Sequence, residues 1–171
     1  MQTHMGFVSC LPVFDILSHD LYKNFTIMEA IVLVKIFMGL KGSGKTKHLI
    51  ELINVAVEEE KGSVVCVELG TKLTYDINYK ARLIDISQYK INSFDQLRGF
   101  ISGLYAGNYD TTHIFIDNIY KVSGTESIEG TDEFLLWLEQ FSNETNVCFT
   151  VTISAPVELA TDNIKRFFVE Y

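Results

Sequence analysis

The sequence predicts an α/β fold of three layers, with a doubly wound, mostly parallel sheet between two sets of helices. Two patterns carry that expectation. Short apolar runs of strand type alternate with amphipathic helical stretches of about 12–15 residues, the signature of βαβ units. The runs are apolar almost throughout, as strands covered by helices on both faces must be. A length of 171 residues suits one domain with a proper core, and 47% hydrophobic with 21% charged residues is the composition of a folded chain.

The regular pattern begins at Ala30. AIVLVKIF is β-branched and apolar, and it runs straight into a glycine-rich loop, GLKGSGKT (39–46). Leu49, Ile50, Ile53, Ala56 and Val57 then recur at helical spacing, and EEEKG closes that helix with Gly62 as the expected stop. SVVCVEL is a second strand. Residues 70–92 are the least regular stretch, with RLIDI the best further strand in it. Ser93 and Gln96 have capping-box spacing, and behind them Phe94, Leu97, Phe100, Ile101 and Leu104 form one apolar helical face. HIFID (113–117) is a third core strand, followed by the loop NIYKVSGTESIEG. Thr131 is expected to cap a helix reaching Ser142, with Phe134, Leu135, Leu138 and Phe141 inward. VCFTVTIS (147–154) is a fourth core strand, and RFFVEY ends the sequence as an expected edge strand. Right-handed crossovers bring the strands' C-terminal ends to one rim, where ligands of such sheets bind. The loops after Phe37, Val67, Asp117 and Ser154 should therefore face a common site.

Charge and cysteine usage narrow the partners. The net charge is −8, and the arginines are three, Arg82, Arg98 and Arg166. Without a cluster of cations to displace counterions, nucleic acid is not expected as a main partner. Cys10, Cys66 and Cys148 lie far apart with no metal-ligand spacing, so Cys66 and Cys148 read as small buried hydrophobes in a reducing, cytoplasmic setting. No apolar run reaches the roughly 20 residues of a membrane helix. Residues 1–27 read as an N-terminal extension with little packing, Met28 as the natural start, and 28–171 as the single domain. GFVSCLPVFDIL lacks the basic start of a secretory signal, and Pro12 interrupts any membrane-surface helix there.

Gly39, Gly44, Lys45 and Thr46 match G-x-x-x-x-G-K-[ST], which a random chain of this length would match about once in two hundred. The match sits between a strand and a helix, as its mechanism requires. Backbone N–H groups of Gly39, Leu40, Lys41, Gly42, Ser43 and Gly44 would form an anion nest for nucleotide phosphates, at the positive end of the helix dipole. Lys45 would supply a mobile charge to the β- and γ-phosphates, and the Thr46 hydroxyl is placed for Mg²⁺.

GLKGSGKT resembles the Walker A loop of P-loop NTPases, and HIFID resembles the Walker B strand of that family. The resemblance covers roughly residues 30–154 and implies a metal role for Asp117 together with Thr46. As a whole the chain also resembles small stand-alone P-loop proteins sometimes labelled twitching-motility ATPases, without the N-terminal domain and the His- and Asp-rich boxes of the hexameric motility ATPases. The resemblance favours the RecA-like strand order and implies ATP and Mg²⁺ as ligands. No N-K-x-D element for guanine is present, so ATP is expected over GTP. The residue after Asp117 is Asn118, which cannot act as a base. In RecA-like proteins a Glu near the end of the second strand serves, which points to Glu68 beside Lys45 as a catalytic candidate; a rim carboxylate in water or paired with Lys72 is the alternative. Ser154 matches a γ-phosphate-sensing position or caps the loop, and Lys80 and Arg82 are either the second cation or, more commonly for such residues, solvated loop charges. Should neither reach the site, turnover would be slow or would wait for an arginine from a protein partner or second copy. The resulting expectation is an Mg-dependent ATP-binding protein with slow or partner-activated hydrolysis. The alternatives are a nucleotide-gated interaction module, hinged at Gly124 and Gly130, and a small-molecule kinase, for which the arginine-free loop 118–130 is a poor lid.

Overall fold

The computed structural model describes residues 33–125 and 128–169. The expected extension 1–27 and the domain start at Met28 lie outside the described residues. The elements run β1 Val34–Met38, α1 Lys45–Glu59, β2 Ser63–Glu68, β3 Arg82–Asp85, α2 Phe94–Gly107, β4 Thr111–Ile116, α3 Ile119–Ser123, α4 Thr131–Thr145, β5 Cys148–Ile153 and α5 Asp162–Lys165. All strand pairings are parallel, in the order β1-β5-β4-β2-β3. Among the described residues, the expected edge strand at 166–171 shrinks to a bridge on the free side of β1. There Ile36 N donates to Phe167 O at 2.8 Å, and Val169 N donates to Ile36 O at 3.1 Å.

Alternation along the strands sorts the side chains into two cores. Val64 and Cys66 of β2 and Phe115 of β4 meet Leu49, Ile53 and Ala56 of α1 on one face. Val65, Val67, Ile114, Ile116, Val151 and Ile153 meet Leu97 and Ile101 of α2 and Phe134, Leu135 and Leu138 of α4 on the other. The three layers follow from that division. Burying Leu49 and Ile53 completely stabilises the α1 layer by roughly 1.5–3 kcal/mol each. A polar bond is worth only about 1 kcal/mol net. Apolar packing therefore holds α1, and polar contacts set where along the sheet it rests.

Two helix ends differ from expectation. α1 is stopped by Glu60 in an extended conformation, not by Gly62. A Cβ on Gly62 would come within 2.3 Å of the Asp110 carbonyl oxygen, so glycine there allows a close approach to the start of β4. The cap of α4 is Gly130 at φ 77°, and Thr131 is the first helical residue. Before α2 the Ser93 hydroxyl accepts from Gln96 N at 3.2 Å as expected, while Gln96 reaches back to Asn92 N at 2.9 Å, one residue further than a capping box requires. Cys66 and Cys148 are both buried, as expected, and burial raises the Cys66 thiol above the usual thiol range.

At the strands' N-terminal end, His113 of β4 is buried between Glu60 and Thr150. Its Nδ1 lies 2.9 Å from Glu60 Oε1 and its Nε2 2.9 Å from Thr150 Oγ1. An ionised carboxylate only accepts, so Nδ1 carries the proton and Nε2 accepts from the threonine. Glu60 also receives the Thr112 hydroxyl and feels the charge of Lys35. Burial lowers the His113 pKa, against the raising effect of Glu60. The unfolded chain therefore takes up this proton first as pH falls, and stability drops below the unfolded value of about 6.5. His113→Gln should be less stable than the parent near pH 8 yet lose less melting temperature between about pH 8 and pH 5. An equal or steeper loss in the variant, followed by thermal denaturation, would contradict this.

Candidate functional site

The loop after β1 is held by its own backbone. Gly39 N donates to Ile153 O at 3.1 Å, tying the loop's start to β5, and Ser43 N donates to Leu40 O at 3.2 Å. Gly42 and Gly44 adopt φ of 88° and 93°, values that an L side chain resists. A Cβ at either position would meet nothing within 4 Å, so conformation rather than crowding demands glycine there. Lys45, only 5% exposed, turns its ammonium into the loop, donating to Gly39 O at 2.7 Å, Leu40 O at 2.9 Å and Ser43 Oγ at 3.2 Å. Burial lowers its pKa, and the charge of Asp117 works in the opposite direction. The loop is thus a ring of main chain around one cation.

β4 delivers Asp117 to the same rim. Its backbone N donates to Val67 O at 2.9 Å, extending the strand's pairing by one residue. Its Oδ1 accepts from the Thr46 hydroxyl at 3.1 Å and the Thr152 hydroxyl at 3.0 Å. Thr152 in turn accepts from Asn118 N at 2.6 Å. Asn118 itself stands at φ 58° and turns the chain into α3. Glu68, at the end of β2, is 2% exposed and accepts from Leu73 N at 3.1 Å and from Lys72 N. Desolvation is the main cause that raises its pKa, with smaller contributions from Asp117 and Asp85. Among the described residues, no three His, Cys, Asp or Glu side chains gather into a metal cluster. Thr46 and Asp117 are hard oxygen donors of the kind Mg²⁺ takes together with substrate phosphates and water.

No family model matches the sequence, and no curated protein matches it. Solved structures do resemble the fold. A KaiC-like protein from the hyperthermophilic archaeon Pyrococcus horikoshii superposes with a TM-score of 0.58 at 21% identity, over 80% of this chain and 67% of that one. The flagellar accessory protein FlaH from Methanocaldococcus jannaschii superposes with a TM-score of 0.55 at 12% identity, over 79% of this chain and 66% of that one. The fold is the RecA-like P-loop fold. The present chain spans about two thirds of the length of either neighbour. Its strand order is the RecA-like one expected from the sequence, with β5 between the loop-bearing β1 and the Asp117-bearing β4.

Within this RecA-like frame the expected residues divide. Gly39 to Thr46 and Asp117 come together, and Glu68 stands at the same rim. The alternative for Glu68, a rim carboxylate in water or paired with the Lys72 side chain, is corrected: Glu68 is buried and accepts main-chain N–H groups of Leu73 and Lys72. Lys80 is engaged elsewhere, 2.9 Å from Glu58 on α1. Arg82 opens β3 opposite Val65, three residues before the rim. Both are exposed, in keeping with the reading of the two as solvated charges. The polar group that β5 gives to Asp117 is Thr152, to which the sequence alone assigns no role, while Ser154 directly follows β5. The signal for Thr152 was a hydroxyl at alternate positions, Thr150 and Thr152, in an otherwise apolar buried strand. Gly124 and Gly130, at φ 67° and 77°, cap α3 and α4. Because the folded-state pKa of Glu68 is raised, its ionised form is destabilising, and that effect fades as pH falls through the folded pKa. Glu68→Gln should match or exceed the parent's melting temperature near pH 8, with the difference shrinking at lower pH. A large loss of stability near pH 8 would show the opposite.

Proposed function

We propose that the chain binds Mg-ATP through the loop 39–46 and hydrolyses it slowly. The observation that carries this reading is the convergence at one rim of the loop, the Lys45 ammonium and the Thr46–Asp117 pair, 3.1 Å apart. The loop's geometry fits phosphates. Glycines at positive φ leave open space beside the backbone, and α1 begins within the loop, so its unpaired N–H groups face an incoming anion. Lys45 would exchange its bonds to Gly39 O and Leu40 O for phosphate oxygens, replacing neutral acceptors with charged ones so that both partners of each bond are ionised. Thr46 and Asp117 would hold Mg²⁺, which when bound supplies Lewis-acid stabilisation of phosphoryl oxygens. Glu68 would accept the proton of an attacking water. Two backbone bonds leave lone pairs on its carboxylate, and a raised pKa suits a base working near neutral pH.

Slowness follows from the charges. With Lys80 bonded to Glu58 and Arg82 remote from the rim, Lys45 and the loop N–H groups face the developing charge without a second cation from the chain's own positions 80 and 82. A protein partner or a second copy would supply it. In a thermal-shift panel, ATP with Mg²⁺ should raise the melting temperature and GTP should do so less, with about 2.7 kcal/mol of stabilisation at a hundredfold excess over the dissociation constant. No rise with any nucleotide would overturn the reading. Phosphate release by the parent should exceed that of Lys45→Ala by roughly 10²-fold. Equal background rates in the two would leave a binding module without hydrolysis.

A further inference from the structure

We infer that Thr152 is a positioning residue that fixes the Asp117 carboxylate for the metal ion, an inference that rests on the Mg-ATP reading above. The direction of its two bonds is forced. An ionised carboxylate only accepts and a backbone N–H only donates, so the single hydroxyl proton goes to Asp117 Oδ1 at 3.0 Å and a lone pair receives Asn118 N at 2.6 Å. The hydroxyl cannot easily swing away. Thr152 is 1% exposed in β5, between β1 and β4, and its β-branched side chain is stiff at χ1.

Thr46 is the contrasting partner of the same oxygen. It is exposed in the first turn of α1, and to ligate a cation it must offer an oxygen lone pair and redirect its proton. Asp117 then keeps one hydroxyl donor, Thr152. The same side chain holds the peptide after Asp117, because Asn118 occupies a left-handed conformation that few non-glycine residues adopt. Thr152 thus restrains Asp117 through both its carboxylate and its backbone, as outer partners of metal ligands do.

Thr152→Val keeps the shape and removes the hydroxyl. ATP affinity measured by calorimetry with Mg²⁺ should fall roughly 10–100-fold, while affinity in EDTA stays within about twofold. Thr152→Ser should restore the Mg²⁺-dependent part. Because the effect runs through Asp117, adding Thr152→Val to Asp117→Asn should cost little further affinity. Loss of equal size with and without Mg²⁺, or additive loss in the double variant, would reduce Thr152 to a packing residue. Should Thr152→Val fail to fold, Thr152→Ala and Thr152→Ser are compared by the same two measurements, and equal Mg²⁺ dependence in them would overturn the inference. A parent protein whose ATP binding ignores Mg²⁺ would instead sink the metal reading itself.

Discussion

One carboxylate oxygen ties the molecule's working parts together. Asp117 Oδ1 receives a hydroxyl from α1 through Thr46 and another from β5 through Thr152, while its own backbone pairs with β2. Elements distant in sequence are thereby set relative to one another at a single point. None of these bonds is strong by itself. Their effect depends on the apolar cores, which already hold the helix and strands in place. The division of labour is plain: packing supplies the energy, and polar contacts choose one arrangement among those that packing alone would permit.

The far end of the sheet repeats the device with different chemistry. Glu60, just past the end of α1, meets His113 of β4, and His113 meets Thr150 of β5. The same helix and the same two strands are thus stitched at both ends on one face. Along β5 the two stitches use threonines two positions apart, and along β4 they use His113 and Asp117. Both contacts lie on the face that α1 covers with leucine, isoleucine and alanine, and Phe115 of β4 stands between His113 and Asp117. Polar groups buried this deep are tolerable because each finds partners.

Much of this was legible in the sequence, and the gaps have physical reasons. Strands, helices and the loop 39–46 were legible because their signals are local: apolar runs, helical spacing and glycines at fixed offsets. Pairing Thr46 with Asp117 was legible as well, since the Walker resemblance joins two motifs far apart. Gly62 was misread because its glycine answers a tertiary approach to Asp110, which no local pattern encodes. Thr131 lost the cap position to Gly130, whose left-handed backbone ends the preceding loop. The fates of Lys80 and Arg82 turned on the path of an irregular segment, and there Asn54 of α1, bonded to the backbone of Asp76 and Asn78, decides the course. Thr152 was visible as a polar residue in a buried strand, but its meaning lay in a partner on the neighbouring strand.

The ring of main chain around Lys45 has a consequence for how freely this sequence can drift. Its donors and acceptors are largely peptide groups, which every residue carries. Leu40, 62% exposed, and Lys41 contribute their backbone and leave their side chains in solvent. Side-chain chemistry constrains the glycines that permit the curvature, Ser43 whose hydroxyl accepts from the lysine, the lysine at the centre and the threonine at the helix start. A neutral substitution at Leu40 or Lys41 leaves the loop's geometry as it was. Two chains can therefore share such a loop, and the sheet beneath it, long after most of their side chains have ceased to correspond.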